Sequence, residues 1–379
     1  MKLKQATVFR IKIPLRQKFK HANAERAVAE NILVRFETEN NCTGWGETIA
    51  RKYVTGETTE ETFEFYKKFI PRLIGLDFKS PENIRSALSV AELEGKNCAR
   101  CAIETALFDI LAKQSGLPLF KYLADNLDSV RIVSRGPFYY GGAIGLANGL
   151  QTALSALKMR LFGFSKVKLK LEKNLAGDIM RLRVSRLILS KKTDLRIDAN
   201  EAWDIQYAKL ISPYLSKYNV SAVEQPFLKD RPELNKTFKD ISPVKIILDE
   251  SLCTVKDALN FAGNKYCDIF CVKIPKFGGI LNVLEIFNIC AAKGIPVQLS
   301  CQVGETAVLS AVGRHMAPLC PTLMYLEGSF DRFLLEQNVC SEDITFGFAG
   351  KAGLIEKPGI GIEVDERKVE NLAVETIRI

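Results

Sequence analysis

Apolar and polar residues alternate over residues 3–15 and again over 30–47. That two-residue period marks strands with one face against a core. The polar stretch ENNCTG reads as a loop, and GWGE closes the second run. Over residues 57–125 the apolar positions recur at helical spacing, most clearly in Asn97–Gln114, which stops at Gly116 and Pro118. Strands followed by helices predict an α+β domain over 1–128.

Near residue 130 the rhythm changes. Short apolar strands are predicted at 131–135 or a little beyond, 166–170, 195–198, 221–224, 244–249, 268–273, 296–300 and 322–326. Helical segments separate them at the length of a βα unit. Eight such units over 129–327 predict a (β/α)8 TIM barrel, in which chemistry belongs at the C-terminal ends of the strands. The tail, 328–379, contains KPGIGIEVDE, looks more strand-like than helical, and is expected to return to the first domain.

Composition changes this picture little: 47% hydrophobic and 26% charged residues supply a full core. The net charge of +9 is spread along the chain, with no basic cluster interleaved with aromatics. It argues against nucleic acid and for a field that favours a small anionic molecule. No apolar run reaches membrane-span length, and the start MKLKQATVFRIKIPL is no secretory signal, so a cytoplasmic protein is expected. Ten cysteines then read as reduced and mostly buried, including the Cys98/Cys101 pair on its helix and Cys267 and Cys271 beside a strand.

The candidate chemistry lies at the strand ends. KVKLK places Lys166, Lys168 and Lys170 on one face. The next strands end in RIDAN with Asp198 and Asn200, VEQP with Glu224, LDES with Asp249 and Glu250, and VKIPKFGG with Lys273. Any one of these alone reads as a helix cap, a turn or a solvated edge. Five consecutive strands ending in Lys, Asp, Glu, Asp and Lys point to a common site. Three converging carboxylates repel one another, and all-oxygen ligation suits a hard cation, Mg2+ before Mn2+ or Ca2+.

With these motifs, the helix AIETALFDILAKQSGLPLFKYL and the late KPGIGIEV, the chain resembles the enolase superfamily in its muconate lactonizing enzyme subgroup. The resemblance covers nearly the whole chain. It implies an N-terminal α+β capping domain, completed by the C-terminal tail, over a modified barrel. It also implies that Asp198, Glu224 and Asp249 bind Mg2+, with Mn2+ as a substitute, and that Lys168 neutralises the substrate carboxylate. Lys170 and Lys273 would act as base and acid on opposite faces of the α-carbon, with Asn200 and Glu250 orienting ligands or lysines. No histidine stands where a His–Asp dyad would. His315, in GRHM, reads as a residue of the helix after strand seven.

The implied reaction is Mg2+-dependent abstraction of a proton alpha to a carboxylate through a metal-stabilised enediolate. The first expectation is a racemase or epimerase of an amino-acid derivative or dipeptide, related to dipeptide epimerases and N-acylamino acid racemases. The alternatives are a dehydratase or cycloisomerase (o-succinylbenzoate synthase-like or muconate cycloisomerase-like) and a catalytically silent binding protein, which the complete constellation opposes. Substrate contacts are expected from the basic lid segments, with His21, Arg26, Arg51 and Tyr53, and from Glu305. At the end of strand eight, YLEGSFDRF offers Glu327 where dipeptide epimerases carry the first residue of Asp-x-Asp, but Ser329 at the second. Expected partners are a small anionic carboxylate and further copies of the chain, with neither nucleic acid nor membrane.

Overall fold

The computed structural model describes residues 1–21, 24–264 and 266–379, with side chains for all of these except 17–21, 24 and 25. Its strands in chain order are β1 (Leu3–His21), β2 (Ala24–Thr38), β3 (Thr43–Thr48), β4 (Phe138–Tyr139), β5 (Gly142–Ile144), β6 (Lys166–Lys170) and β7 (Asp194–Asp198). They continue with β8 (Val220–Glu224), β9 (Lys245–Leu248), β10 (Ile269–Lys273), β11 (Val297–Ser300), β12 (Leu323–Leu326), β13 (Lys351–Ala352) and β14 (Ala373–Arg378). Strands β5 to β12 form one parallel sheet in chain order. The Gly141 N–H donates to the Leu326 carbonyl at 2.8 Å, which brings the two edge strands together. The result is a modified (β/α)8 barrel beside an antiparallel sheet ordered β14-β1-β2-β3.

Seven barrel strands lie within one residue of their predicted positions, and the first does not. Residues 131–135 are irregular, and the strand is Gly142–Ile144. The apolar pair Ile132 and Val133 is adjacent, so it cannot bury one face of a strand, and Val133 is left exposed. Pro137 then interrupts the run with no N–H to donate. The lid segment expected as a loop instead extends a hairpin. β1 continues to His21 and β2 begins at Ala24, with Phe19 opposite Arg26 and Lys20 opposite Glu25. The tail is mostly irregular, but its last strand, β14, pairs antiparallel with β1.

The helix Asn97–Gln114 is buried along most of its length. It fills the space between β3 and the barrel, and the fit is close. A Cβ on Gly46 would come within 1.9 Å of the Ala102 carbonyl oxygen, so GWGE needs its second glycine for contact rather than for a turn. Cys98 and Cys101 are buried in this core as free thiols, and the other cysteines are free as well, some of them only partly buried. Their thiols are pushed up by burial, which suits packing and not redox chemistry.

Carboxylates from the first sheet and its helix reach the barrel. Glu47 accepts from the Thr306 and Leu309 N–H groups, both at 2.9 Å, at the start of the helix Ala307–Met316. Glu104 accepts from the Leu281 N–H at 2.8 Å, at the start of Ile280–Lys293. Asp109 accepts from Ile360 at 2.8 Å and Trp45 at 3.0 Å, tying the tail to GWGE. Helix N-termini present unpaired N–H groups and partial positive charge, which stabilise Glu47 and Glu104 where they are buried, whereas Asp109 pairs with Lys113 at 2.7 Å. No helix among the described residues is long and apolar enough to cross a membrane.

His315 is packed rather than solvent-facing. The Phe120 N–H donates to Nδ1 at 3.4 Å, leaving Nε2 to carry the proton toward the Ile360 carbonyl at 3.1 Å. Burial holds it well below its ordinary value, at about 4. A folded value below the unfolded one means that protonation favours unfolding. The stability from neutral His315 is therefore complete above about pH 6.5 and drains as pH falls toward 4. We expect the wild type to lose about 3 kcal/mol over that interval relative to His315→Gln, read from urea unfolding at each pH. Parallel pH curves for the two proteins would contradict this.

Candidate active site

Strand alternation sends Val167 and Leu169 outward into full burial and turns Lys166, Lys168 and Lys170 into the barrel. Lys166, at the start of β6 and only partly buried, bonds the Met324 carbonyl and lies over the Tyr325 ring. Lys168 and Lys170 stand higher, at the mouth, with side chains 13% and 12% exposed. The negative charge they face is carried by the neighbouring strands. Lys168 Nζ is 3.1 Å from Glu224 Oε2 and 2.7 Å from Glu327 Oε2. Lys170 Nζ donates to Asn200 Oδ1 at 2.6 Å and stands 3.5 Å from Asp198 Oδ2.

Four strands round the sheet, Lys273 closes the opposite side, bonded to Asp249 Oδ2. The other oxygen of Asp249 accepts from Lys276 at 2.7 Å. Asp198, Glu224 and Asp249 are all buried at adjacent strand ends, with Asp198 and Glu224 paired in register. Oxygens of Glu224 and Asp249 come within 4.8 Å of each other and of Cys271 Sγ. That thiol is pushed well up by burial and receives the Gln298 amide at 3.3 Å, so it belongs to the packing.

The electrostatics follow from burial. Burial pushes Glu224 up; Lys168 opposes this, while the charges of Asp198, Glu327 and Asp249 add to it. Burial also acts on Asp249, but Lys273 and Lys276 outweigh it and hold that carboxyl far below the usual range. Glu250 is pushed up to about 8, by burial first and then by the Asp249 charge. Its Oε1 accepts weakly from Asn200 at 3.4 Å, and its Oε2 has no partner. Crowded oxygen donors with a buried acid oxygen left over fit a hard dication such as Mg2+.

Residues 4–124 match the family model for the mandelate racemase / muconate lactonizing enzyme N-terminal domain. Residues 151–368 match the enolase C-terminal domain-like model. The chain belongs to the mandelate racemase/muconate lactonizing enzyme family of the enolase superfamily. The hydrophobic dipeptide epimerase of Enterococcus faecalis is 29% identical over 319 residues, 84% of this chain and 87% of its own. The N-succinyl-L-Arg/Lys racemase of Bacillus cereus is 26% identical over 380 residues, covering 99% and 98%. The crystal structure of a dipeptide epimerase from Cytophaga hutchinsonii, complexed with Mg and the dipeptide D-Ala-L-Val, matches over 100% of both chains, with TM-score 0.90 and 25% identity. Among these epimerases and racemases, the chain is an isomerase of the enolase superfamily.

Within this family member, the specificity candidates divide. Arg51 is buried; it donates to the Val303 carbonyl at 2.9 Å and the Ala50 carbonyl at 3.2 Å, and makes no ion pair among the described residues. Burial and then the nearby Arg26 charge push it down to about 10. Arg26 lies over the Tyr53 ring, 5.6 Å from its centre. Arg26, Arg51 and Tyr53 therefore form one cluster against the loop after β11. The His21, Lys18 and Lys20 side chains lie outside the described residues. Arg16 turns away to the Arg332 and Glu336 carbonyls, at 3.1 and 3.4 Å. Glu305 accepts from the Gln302 N–H at 2.6 Å and lines a small cavity with Ser300, Cys301 and Glu327; burial pushes its carboxyl well up.

Glu327 points inward rather than standing open to a substrate ammonium. It accepts from Lys168 and Ser300, both at 2.7 Å, and pairs with Arg196 at 3.1 Å. Burial alone would raise it, but Lys168 and Arg196 hold it down at about 2. Ser329 is bonded to Arg314 at 3.1 Å. The sequence reading missed Arg196, fully buried, stacked 3.9 Å from the Tyr325 ring centre and bonded to Gln298. Strand alternation from Asp198 places it on the same inner face, so the signal was present. Replacing Glu327 by Gln would leave two buried cations short of a counter-charge. We expect Glu327→Gln to cost about 3–5 kcal/mol in urea unfolding at pH 7 without added metal. A loss under about 1 kcal/mol would show that the network carries little of the stability.

Proposed function

We propose that this isomerase is a Mg2+-dependent racemase or epimerase that moves a proton alpha to a carboxylate in an amino-acid derivative. The observation that carries this reading is the placement of Lys170 and Lys273 on opposite walls of the mouth, with Asp198, Glu224 and Asp249 between them. On this reading those three acids hold Mg2+, or Mn2+ in its place. The dication, when bound, supplies positive charge beside the substrate carboxylate, where charge develops as the α-proton leaves. Lys170 and Lys273 remove and return that proton from the two faces of the α-carbon. Lys168 adds a second cation at the substrate carboxylate, and its bonds to Glu224 and Glu327 fix its direction. Asn200 orients Lys170, and Glu250 supports Asn200.

Arg26 and Arg51 favour a negative group at the distal end of the substrate. With Glu327 committed to Lys168 and Arg196, and Ser329 to Arg314, strand eight leaves no free carboxylate for an ammonium among the described residues. An N-acylated amino acid thus fits better than a dipeptide with a free amine. The same feature keeps a second reading, a cycloisomerase acting on an amine-free carboxylate.

Incubation in D2O with Mg2+ and a panel of N-succinyl amino acids and dipeptides tests the reading. Deuterium should enter the α-carbon with loss of optical purity, stop with EDTA and resume with Mg2+. Lys273→Ala should lose exchange from one enantiomer by about 100-fold or more, with the fold intact. Exchange of both enantiomers at wild-type rate in that variant would refute the role of Lys273. Ring closure would select the second reading.

A further inference from the structure

Lys276, three residues beyond Lys273, is fully buried. Its ammonium donates to Asp249 Oδ1 at 2.7 Å, the Asp249 carbonyl at 2.7 Å and the Cys271 carbonyl at 2.9 Å. An ammonium has three protons, and all three are used. Two acceptors belong to the residue just past β9 and the third to β10, so one side chain staples the two strand ends between which Asp249 and Lys273 meet. Asp249 is thereby divided, with Oδ1 on Lys276 and Oδ2 on Lys273. Burying an ammonium is costly, and a methionine would fill similar space without that penalty. What only the lysine supplies is this set of directed bonds.

The turn that carries Lys276 is itself gripped from the other domain. Asn97 Nδ2 donates to the Lys276 carbonyl at 2.7 Å and the Cys253 carbonyl at 3.0 Å. Gly279 has φ 119°, and a Cβ there would lie 2.5 Å from Glu104 Oε1, the atom that accepts from Leu281. The second glycine of KFGG thus lets the turn seat against the helix Asn97–Gln114.

We propose that Lys276 is a positioning residue that locks the Asp249 carboxylate in the orientation it presents to the dication, and that it passes the seating of the capping helix to the metal site. This rests on the reading of Asp249 as a Mg2+ ligand. A lysine serving only as counter-charge makes the opposite prediction, because removing a positive charge beside an acid tightens binding of a dication.

The test is titration of the EDTA-stripped full chain with Mg2+ by calorimetry, without substrate, together with the electron paramagnetic resonance spectrum of bound Mn2+. Lys276→Met should weaken the Mg2+ Kd about 10-fold or more and alter the Mn2+ spectrum. Asn97→Ala, which frees the turn but keeps the lysine, should weaken it by a smaller factor of about 3. An unchanged or tighter Kd in Lys276→Met overturns the proposal. If that variant does not fold, an unchanged Kd in Asn97→Ala overturns it. Failure of the underlying reading looks different: the wild type binds no Mg2+, or Asp249→Asn binds as well as wild type, and both ideas then fall together.

Discussion

The constraint on which the site depends is the burial of acids that repel one another. Asp198, Glu224, Asp249, Glu250 and Glu327 all sit in or beside the barrel mouth with little access to water. In such surroundings an unpaired carboxylate takes up a proton and loses its value as a ligand. The chain opposes this by pairing most of the acids with cations. Lys168 and Arg196 hold Glu327, Lys168 also holds Glu224, and Lys273 and Lys276 hold Asp249. Only Glu250 is left without a cation in bonding range among the described residues, and it is the acid pushed up to about 8. The alternating lysines of β6 are thus part of the same device as the acids. Neither set can be buried alone.

The second joint of the molecule uses the same physics in milder form. Glu47 and Glu104 leave the first sheet and its helix to end at the N-termini of the two barrel helices that follow β11 and β10. There the compensation comes from a helix dipole and backbone N–H groups, joined for Glu104 by Arg100 at 3.2 Å. These helices begin just past the strand ends that carry Lys273 and Ser300. The docking of the first domain is therefore connected to the candidate site through rigid backbone, with Asn97 and Lys276 as one short path.

Legibility in the sequence followed the strength of the local pattern. Seven barrel strands were readable because each is a short apolar or, in KVKLK, alternating run, and the acids and lysines stood out at the strand ends. The first strand was misplaced because Gly142–Ile144 is too short to show a period, while RIVSR nearby imitates one. The lid hairpin was unreadable as strand because its charged residues carry no apolar alternation, and only pairing across the hairpin specifies it. Arg196 could have been found by counting two back from Asp198. Lys276 and Gln298 could not, since their importance comes from contacts with strands far away in sequence.

The same bookkeeping of charge bears on specificity. An acid already held by two cations does not offer itself to a third, so Glu327 is spent on Lys168 and Arg196. Arg51, buried and bonded only to carbonyls among the described residues, feels the charge of Arg26 and carries the reverse demand. Arg51 loses hydration and gains only carbonyl partners among the described residues, while the Arg26 charge makes its burial costlier. A substrate anion arriving between them would relieve that cost, whereas an ammonium would add to it. The proposed fit to a negative distal group thus rests on the same imbalance that binds the acids below to their lysines, with the sign reversed.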